Sequence, residues 1–224
     1  MVRGMYVVIV GAGIAGLGAA WALTREGHHV TVLEQGPIPN PVGTSVDSHR
    51  LIRRPYGTEI GYMRMITHAY AAWNRLWADL GVKLCVDTGS LSMSTGADDR
   101  QAESLRLIKA DGYPVIEMTA DEMAKRYPLI DPVGVRTAYL SPEGGVLLAD
   151  RIVAALAKWL GEKGARLRPM TRVQSIDADG GAVTLADGER VAADLVLVAA
   201  GAWVRELVPS MGDYVEPSRQ VLAY

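Results

Sequence analysis

"YVVIVGAGIAGLGAAWAL", residues 6–23, decides the fold. Its first five residues form an unbroken apolar run that stops at glycine, the pattern of a parallel strand covered on both faces. "GAGIAG" follows and sets Gly11, Gly13 and Gly16 at the turn between that strand and a helix. Gly11 allows the tight turn, Gly13 lets the backbone come close to a pyrophosphate, and Gly16 lets the helix lie against the sheet. A phosphate at the helix start meets unpaired N–H groups and the positive end of the helix dipole. Ile14, Leu17, Ala20, Trp21 and Leu23 then fall at helical spacing up to Gly27, which suits a C-cap. "HVTVLE" (29–34) returns as a second strand, and the right-handed crossover rule makes the two strands parallel neighbours. Glu34 closes that strand 18 residues after Gly16, where a carboxylate accepts from a ribose hydroxyl. These residues fit NAD and FAD equally.

The totals narrow the class. A chain of 224 residues is one elaborated domain or one and a half. With 49% hydrophobic and 21% charged residues it is globular. A net charge of -2 provides no broad basic surface for nucleic acid or an anionic membrane. The sole cysteine, Cys85, cannot form an internal disulfide, and no Cys/His spacing resembles a metal site. No stretch approaches the ~18 apolar residues of a membrane span, and the run near the start is too short for a signal peptide. The expectation is a soluble protein of the cytoplasm, without a transmembrane segment.

Beyond a proline-rich loop (Pro37, Pro39, Pro41), "SVDSHRLIRRPYG" (45–57) brings Arg50, Arg53 and Arg54 into what reads as a buried strand entering a turn. Met63, Ile66, Tyr70, Trp73, Trp77 and Leu80 recur every three or four residues, an amphipathic helix ending near Gly81 whose aromatic stripe is core. "GSLSMS" (89–94) reads as a strand, 101–110 as a helix, and 119–128 as a short helix with a capping box, Thr119 with Glu122, stopped by Pro128. Residues 137–147 read as strand and turn. A helix over 149 to about 163 turns Ile152, Val153, Leu156, Trp159 and Leu160 inward. Short β segments follow at 173–176, 183–185 and 189–191, divided by "DGG" and "DG" turns. "ADLVLVAAGAW" (193–203) closes the series with an apolar strand running into a small-residue turn. The organisation is an α/β nucleotide-binding layer in two pieces, with an α+β insertion at roughly residues 86–145.

"ARLRPMTRVQSI", the meander after it and "ADLVLVAAGAW" resemble flavin proteins of the two-dinucleotide-binding type, which favours FAD. In that comparison Val173 holds the adenine through its backbone, while Ala199, Ala200 and Gly201 pass the pyrophosphate. The whole chain resembles the D-amino acid oxidase-like FAD-dependent oxidoreductases, and within them the monomeric sarcosine oxidase and N-methyltryptophan oxidase branch. The resemblance is carried by "VVIVGAGIAGLGAAWAL", "VTVLEQ", "RLIRRPYG", "AYAAWNRLW", "TGSLSMS", "SPEGGVLLADRIVAAL", "RVQSIDADGGAVTLADGERVAADLVLVAAGAW" and "PSRQVLAY". Of these, "RLIRRPYG" and "SPEGGVLLADR" are the more particular to this group.

The resemblance implies a Rossmann-like FAD-binding domain of residues 1–85 and 146–210, and a partial substrate-binding domain of 86–145 and 211–224. It implies a flavoprotein that oxidises the C–N bond of an amino acid or N-methyl amino acid, a small carboxylate-bearing amine, by hydride transfer to flavin N5. Matched residue by residue, Gln35, Ser45 and Trp203 lie along the cofactor, Arg50 lies near the flavin ring, and Arg53 pairs with the substrate carboxylate. A guanidinium suits that task because its planar fork fixes a carboxylate at two points and so orients the α-carbon hydrogen. An internal ion pair is the structural alternative for Arg53. Arg54, next along an extended chain, points the other way and is expected to be solvated.

Departures from the group's pattern bear on the substrate. Close relatives carry a histidine pair and a glycine before "DTR"; Ser45, Val46 and Asp47 stand here, with Ser48 and His49 before Arg50. His49 is within the region of the flavin edge but reads as structural, as do His28, His29 and His68, and Cys85 reads as a core thiol. The resemblance covers only roughly the first three fifths of the family's extent and stops at "QVLAY", the start of a substrate-domain strand. The expectation is a fragment, or one chain of a split enzyme whose partner chain supplies the rest. Two other classes fit the Gly-rich motif: a non-catalytic FAD- or nucleotide-binding subunit, and an NAD-dependent dehydrogenase.

Overall fold

The computed structural model describes residues 4–96 and 100–218, so "QVLAY" and its expected strand lie outside the described residues. The chain forms two compact units, one of Met1–Ser48 with Ala149–Tyr224 and one of His49–Leu148. Residues 49–85, grouped by resemblance with the cofactor domain, fall in the second unit.

The first unit opens with β1 (Tyr6–Val10), α1 (Ile14–Arg25) and β2 (His29–Leu33). β1 and β2 pair in parallel from Tyr6 opposite His29 to Val10 opposite Leu33, as the crossover rule requires. Their apolar runs are buried from Val7 to Val10 and from Val30 to Leu33. Gly27, with φ 84°, takes the left-handed turn just after α1.

The second unit comprises β3 (Arg50–Arg53), α2 (Ile60–Leu80), β4 (Cys85–Val86), β5 (Ser90–Ser94), α3 (Arg100–Ala110), β6 (Ile116–Glu117), α4 (Ala120–Arg126), β7 (Thr137–Ser141) and β8 (Gly144–Leu147). It holds two small antiparallel sheets, ordered β3-β8-β4 and β5-β7-β6. Met63, Ile108 and Tyr139 join α2, α3 and β7 in one core cluster. The α2 helix forms as the spacing predicts, but of its stripe only Met63 and Trp77 are buried, with Leu76 beside them, while Ile66, Tyr70, Trp73 and Leu80 are half-buried; Trp73 stacks on Trp77 with ring centroids 5.0 Å apart. The capping box at Thr119 and Glu122 is present on both sides. Cys85 is only half-buried in β4 and so is not a core thiol; burial is still the main cause raising its pKa.

The chain returns to the first unit with α5 (Ala149–Glu162), β9 (Arg166–Arg168), β10 (Val173–Asp177), β11 (Ala182–Leu185), β12 (Arg190–Ala192), β13 (Leu195–Val198) and the short α6 (Val204–Leu207). The parallel sheet runs β13-β1-β2-β9. Sequence pattern misses the two-residue β4 and β6 of the second unit and, in this sheet, β9: three residues, "RLR", with no apolar run, recruited because Arg168 O accepts from Glu34 N. β10, β11 and β12 form an antiparallel meander. Val173, Val183 and Leu185 of the meander pack with Val8, Val10 and Leu33 of the sheet. Val7 and Ile9 alternate to the opposite face, where α1 contacts β1 and β2, and α5 packs on α1.

Candidate functional site

The Gly-rich turn is built as its residue types require. Gly11 adopts φ 107°, and a Cβ there would run into the carbonyl of Ala199. A Cβ on Gly16 would overlap the carbonyl oxygen of Gly11, so only glycine lets α1 start this close to the turn. Gly13 is different: φ is -71°, an ordinary value, and a Cβ would stand 3.1 Å from Ser45 Oγ. Gly13 is the N-cap of α1 and brings no side-chain cap; Ser45 Oγ accepts instead from Ile14 N at 2.9 Å. No acidic residue occupies the first turn, so the positive end of α1 is open to an anion.

Glu34, 7% exposed, is fixed at the end of β2. Its carboxylate accepts from Ala12 N at 2.9 Å, Gly36 N at 3.0 Å and Asn40 Nδ2 at 2.9 Å. It therefore ties the Gly-rich turn to the loop that follows β2. From the other end of the chain, Ala199 N donates to Val10 O at 2.8 Å and Thr171 N to Glu34 O at 2.7 Å. These two bonds bring residues 171–173 and 199–207 to the turn.

Between these segments lies a cavity of about 310 Å³. Gly11, Gly13, Glu34, Gln35, Ser45, Val173, Ala199, Ala200, Gly201 and Trp203 all line it. Gly16 does not; it serves the close packing of α1. Arg50 belongs to the other unit. Sequence reasoning missed Asn40, Arg172 and Glu206, which also line the cavity. Asn40 hid in the proline-rich loop, and the Arg172–Glu206 pair, 3.7 Å apart, joins residues too far separated for local pattern to reveal.

The fit to a dinucleotide rests on three features: glycines where a side chain would close the approach, a helix whose first turn carries no acidic side chain, and a carboxylate at the end of the second strand. Val10, Leu33, Val173 and Leu207 supply an apolar wall for a base. Among the described residues no group of His, Cys, Asp and Glu could hold a metal ion. No helix among the described residues is long and apolar enough to cross a membrane.

In the second unit β3 pairs with β8 from Arg50 opposite Leu147 to Arg53 opposite Gly144. Leu51 and Arg53 are exposed, while Ile52 and Arg54 are buried, as strand alternation demands. Arg53 stacks on Tyr56, its guanidinium carbon 5.5 Å from the ring centre, and makes no ion pair among the described residues. Arg54 points the other way but is not solvated; it is 3% exposed, and the internal ion pair considered for Arg53 belongs to Arg54. Arg54 Nε donates to Glu143 at 2.5 Å, and Nη1 donates to Met63 O at 3.3 Å and Thr67 Oγ1 at 3.1 Å. Its guanidinium lies 3.7 Å from the centre of the Tyr113 ring. The solvated expectation fails because α2 and Tyr113 cover that face, which the spacing of a single strand does not reveal. A second cavity, about 350 Å³, opens beside this cluster and is lined by Arg54, Thr67, Tyr70, Cys85 and Glu143. Burial, the largest cause, pushes the Tyr70 phenol up to about 12.

Comparison with known proteins gives a consistent result. The family described as FAD dependent oxidoreductase matches residues 6–223. N-methyl-L-tryptophan oxidase of Yersinia pestis (strain Pestoides F) is 26% identical over 221 residues, which are 97% of this chain and 58% of that protein. Among solved structures, NikD, an unusual amino acid oxidase essential for nikkomycin biosynthesis, superposes with a TM-score of 0.80 at 25% identity, over 94% of this chain and 55% of its own. Glycine oxidase from Geobacillus kaustophilus shares the fold at a TM-score of 0.79 and 23% identity, over 94% of this chain and 59% of its own. The chain thus spans a little over half the length of the relatives it matches.

Proposed function

The chain belongs to the FAD dependent oxidoreductase family, and on that premise we propose that it is the FAD-binding portion of an enzyme that oxidises the C–N bond of an amino acid or N-methyl amino acid. One observation carries the cofactor reading: the cavity of the first unit gathers the Gly-rich turn, Glu34, Val173 and the Ala199–Gly201 turn around one space. In this reading the N–H groups at the start of α1 hold the pyrophosphate, Glu34 accepts from the ribose, and the backbone at Val173 meets the adenine. FAD held there would supply the hydride acceptor for the amine carbon. Arg53, exposed and free of ion pairs among the described residues, binds the substrate carboxylate through its two-point fork and so orients the α-carbon. Residues 1–85 and 146–210 carry the cofactor, and 86–145 with 211–224 form part of the substrate side. Polypeptide matching the remainder of the relatives completes that side, in the same chain or in a second one. The working place of the enzyme is the cytoplasm.

The test is the visible spectrum of the purified protein, before and after denaturation. Flavin bands with FAD released into the supernatant support the reading, and anaerobic bleaching by N-methyl-L-tryptophan, glycine or L-proline then tests the chemistry. A folded, colourless protein that takes up NAD and not FAD would falsify it.

A further inference from the structure

We propose that Arg54 is a positioning residue for the substrate carboxylate site, holding the strand end on which Arg53 is mounted; the proposal rests on the reading of Arg53 given above. The last backbone pair of the β3–β8 ladder is Arg53 with Gly144. The next residue on each strand is Arg54 and Glu143, and these two form the 2.5 Å ion pair. The ladder therefore continues one step further through side chains.

The arrangement is over-determined on the Arg54 side. Its donors reach Glu143, the Met63 carbonyl and Thr67 Oγ1, and its flat face covers Tyr113, whose hydroxyl lies 3.3 Å from the same Thr67 oxygen. Three separate segments, α2, the loop after α3 and the β7–β8 turn, are thus tied to one side chain. Burying a guanidinium to 3% exposure against a carboxylate that is itself 41% exposed is a poor exchange for stability, since desolvation of the cation is repaid by only a partly screened partner. An apolar side chain would fill the position at lower cost. What an apolar residue would lack is the set of directed bonds to Glu143, Met63 O and Thr67 Oγ1 that holds the strand end. With Ile52 and Arg54 both pinned inward, Arg53 between them is held outward, beside Tyr56. Arg54 and Glu143 both line the cavity next to the cluster, so the carboxylate is the charged group that holds the guanidinium on that side. Losing one hydrogen bond from the guanidinium fork to a carboxylate weakens binding roughly 10- to 150-fold.

The test uses the FAD-loaded holoenzyme and whichever of N-methyl-L-tryptophan, glycine and L-proline bleaches the wild type. Arg54→Met is expected to raise the amine concentration for half-maximal flavin reduction by about 10- to 100-fold, through the loss of a bond from Arg53 to the carboxylate. FAD content and the limiting reduction rate should change far less. Arg54→Lys, which keeps the charge but loses the planar fork and the stacking, should fall between wild type and Arg54→Met. Arg53→Met serves as the reference. If Arg53→Met weakens the amine and a folded, yellow Arg54→Met does not, the positioning role is wrong while the function stands. If Arg53→Met leaves half-saturation unchanged, or none of the three amines bleaches the wild type, the carboxylate reading fails and the proposal with it. Should Arg54→Met not fold, Glu143→Gln decides: a rise in half-saturation with FAD retained supports the role, and an unchanged value overturns it.

Discussion

Gly13→Ala separates cofactor binding from folding more cleanly than any other change in the Gly-rich turn. Gly13 has φ -71° and ψ 177°, a backbone that alanine adopts without strain. The added methyl would stand 3.1 Å from Ser45 Oγ, so Ser45 must give by a few tenths of an ångström. Against that, alanine lowers the entropy of the unfolded chain, worth about 0.4–1 kcal/mol. The two effects oppose each other, and the melting temperature of the cofactor-free protein should stay within a few degrees of wild type. Binding should not survive as well. The methyl thickens the wall of a cavity that both Gly13 and Ser45 line, and it keeps the backbone N–H groups of the turn from a phosphate. Losing one such bond to a charged group costs about 1.5–3 kcal/mol, or roughly 10- to 150-fold in Kd. The assay is a titration of apoprotein with FAD, followed by flavin fluorescence, with circular dichroism melts of the same samples. Ser45→Ala is the control, because it removes the acceptor of Ile14 N without adding bulk at position 13. FAD affinity within about threefold of wild type in a folded Gly13→Ala protein would show that no phosphate passes over this residue.

Other outcomes follow from the same geometry. Gly16→Ala should act on folding, because its Cβ overlaps the Gly11 carbonyl oxygen; a loss of about 1–3 kcal/mol is expected in urea unfolding, even without FAD. Glu34→Ala removes the acceptor of three hydrogen bonds and leaves Ala12 N–H unpaired in a buried place, so a loss of roughly 3 kcal/mol or more is expected in the same experiment, together with FAD binding. Tyr70 has a buried hydroxyl without a partner, so Tyr70→Phe should cost no stability. Because burial of the neutral phenol raises its folded pKa to about 12, wild type should lose stability relative to Tyr70→Phe as pH rises from the ordinary value of 10.0 toward 12, and alkaline titration at 295 nm should lose a phenol titrating near 12 in that variant. On the acid side, Arg64 holds Asp111, Arg106 holds Glu103, and the Thr119 cap holds Glu122 below their ordinary values. Their contribution is full above the usual carboxylate range and is lost as pH falls through the depressed values, which urea unfolding at pH 7 and at pH 3 should show as reduced stability.

The sequence by itself determined the elements whose cause is local. The apolar run at 6–10, the glycines at 11, 13 and 16 and the second run ending at Glu34 specify a βαβ unit, because strand, turn and helix are each set by neighbours within a few residues. The capping box at Thr119 and the α2 helix were legible for the same reason. What only the tertiary structure decided involves partners far apart in the chain. The three-residue β9 becomes a strand because the end of β2 offers it a ladder, and Arg172 and Glu206 join the cavity because Thr171 and Ala199 bond back to residues 34 and 10. The two adjacent arginines state the division most sharply. Alternation along β3 dictates that Arg53 and Arg54 point to opposite sides, but which side meets water depends on α2, Tyr113 and Glu143, the last of them 89 residues away from Arg54. Strand geometry is a property of the backbone and can be read from spacing; burial is a property of what folds over the strand, and that is fixed only when distant segments close on one another.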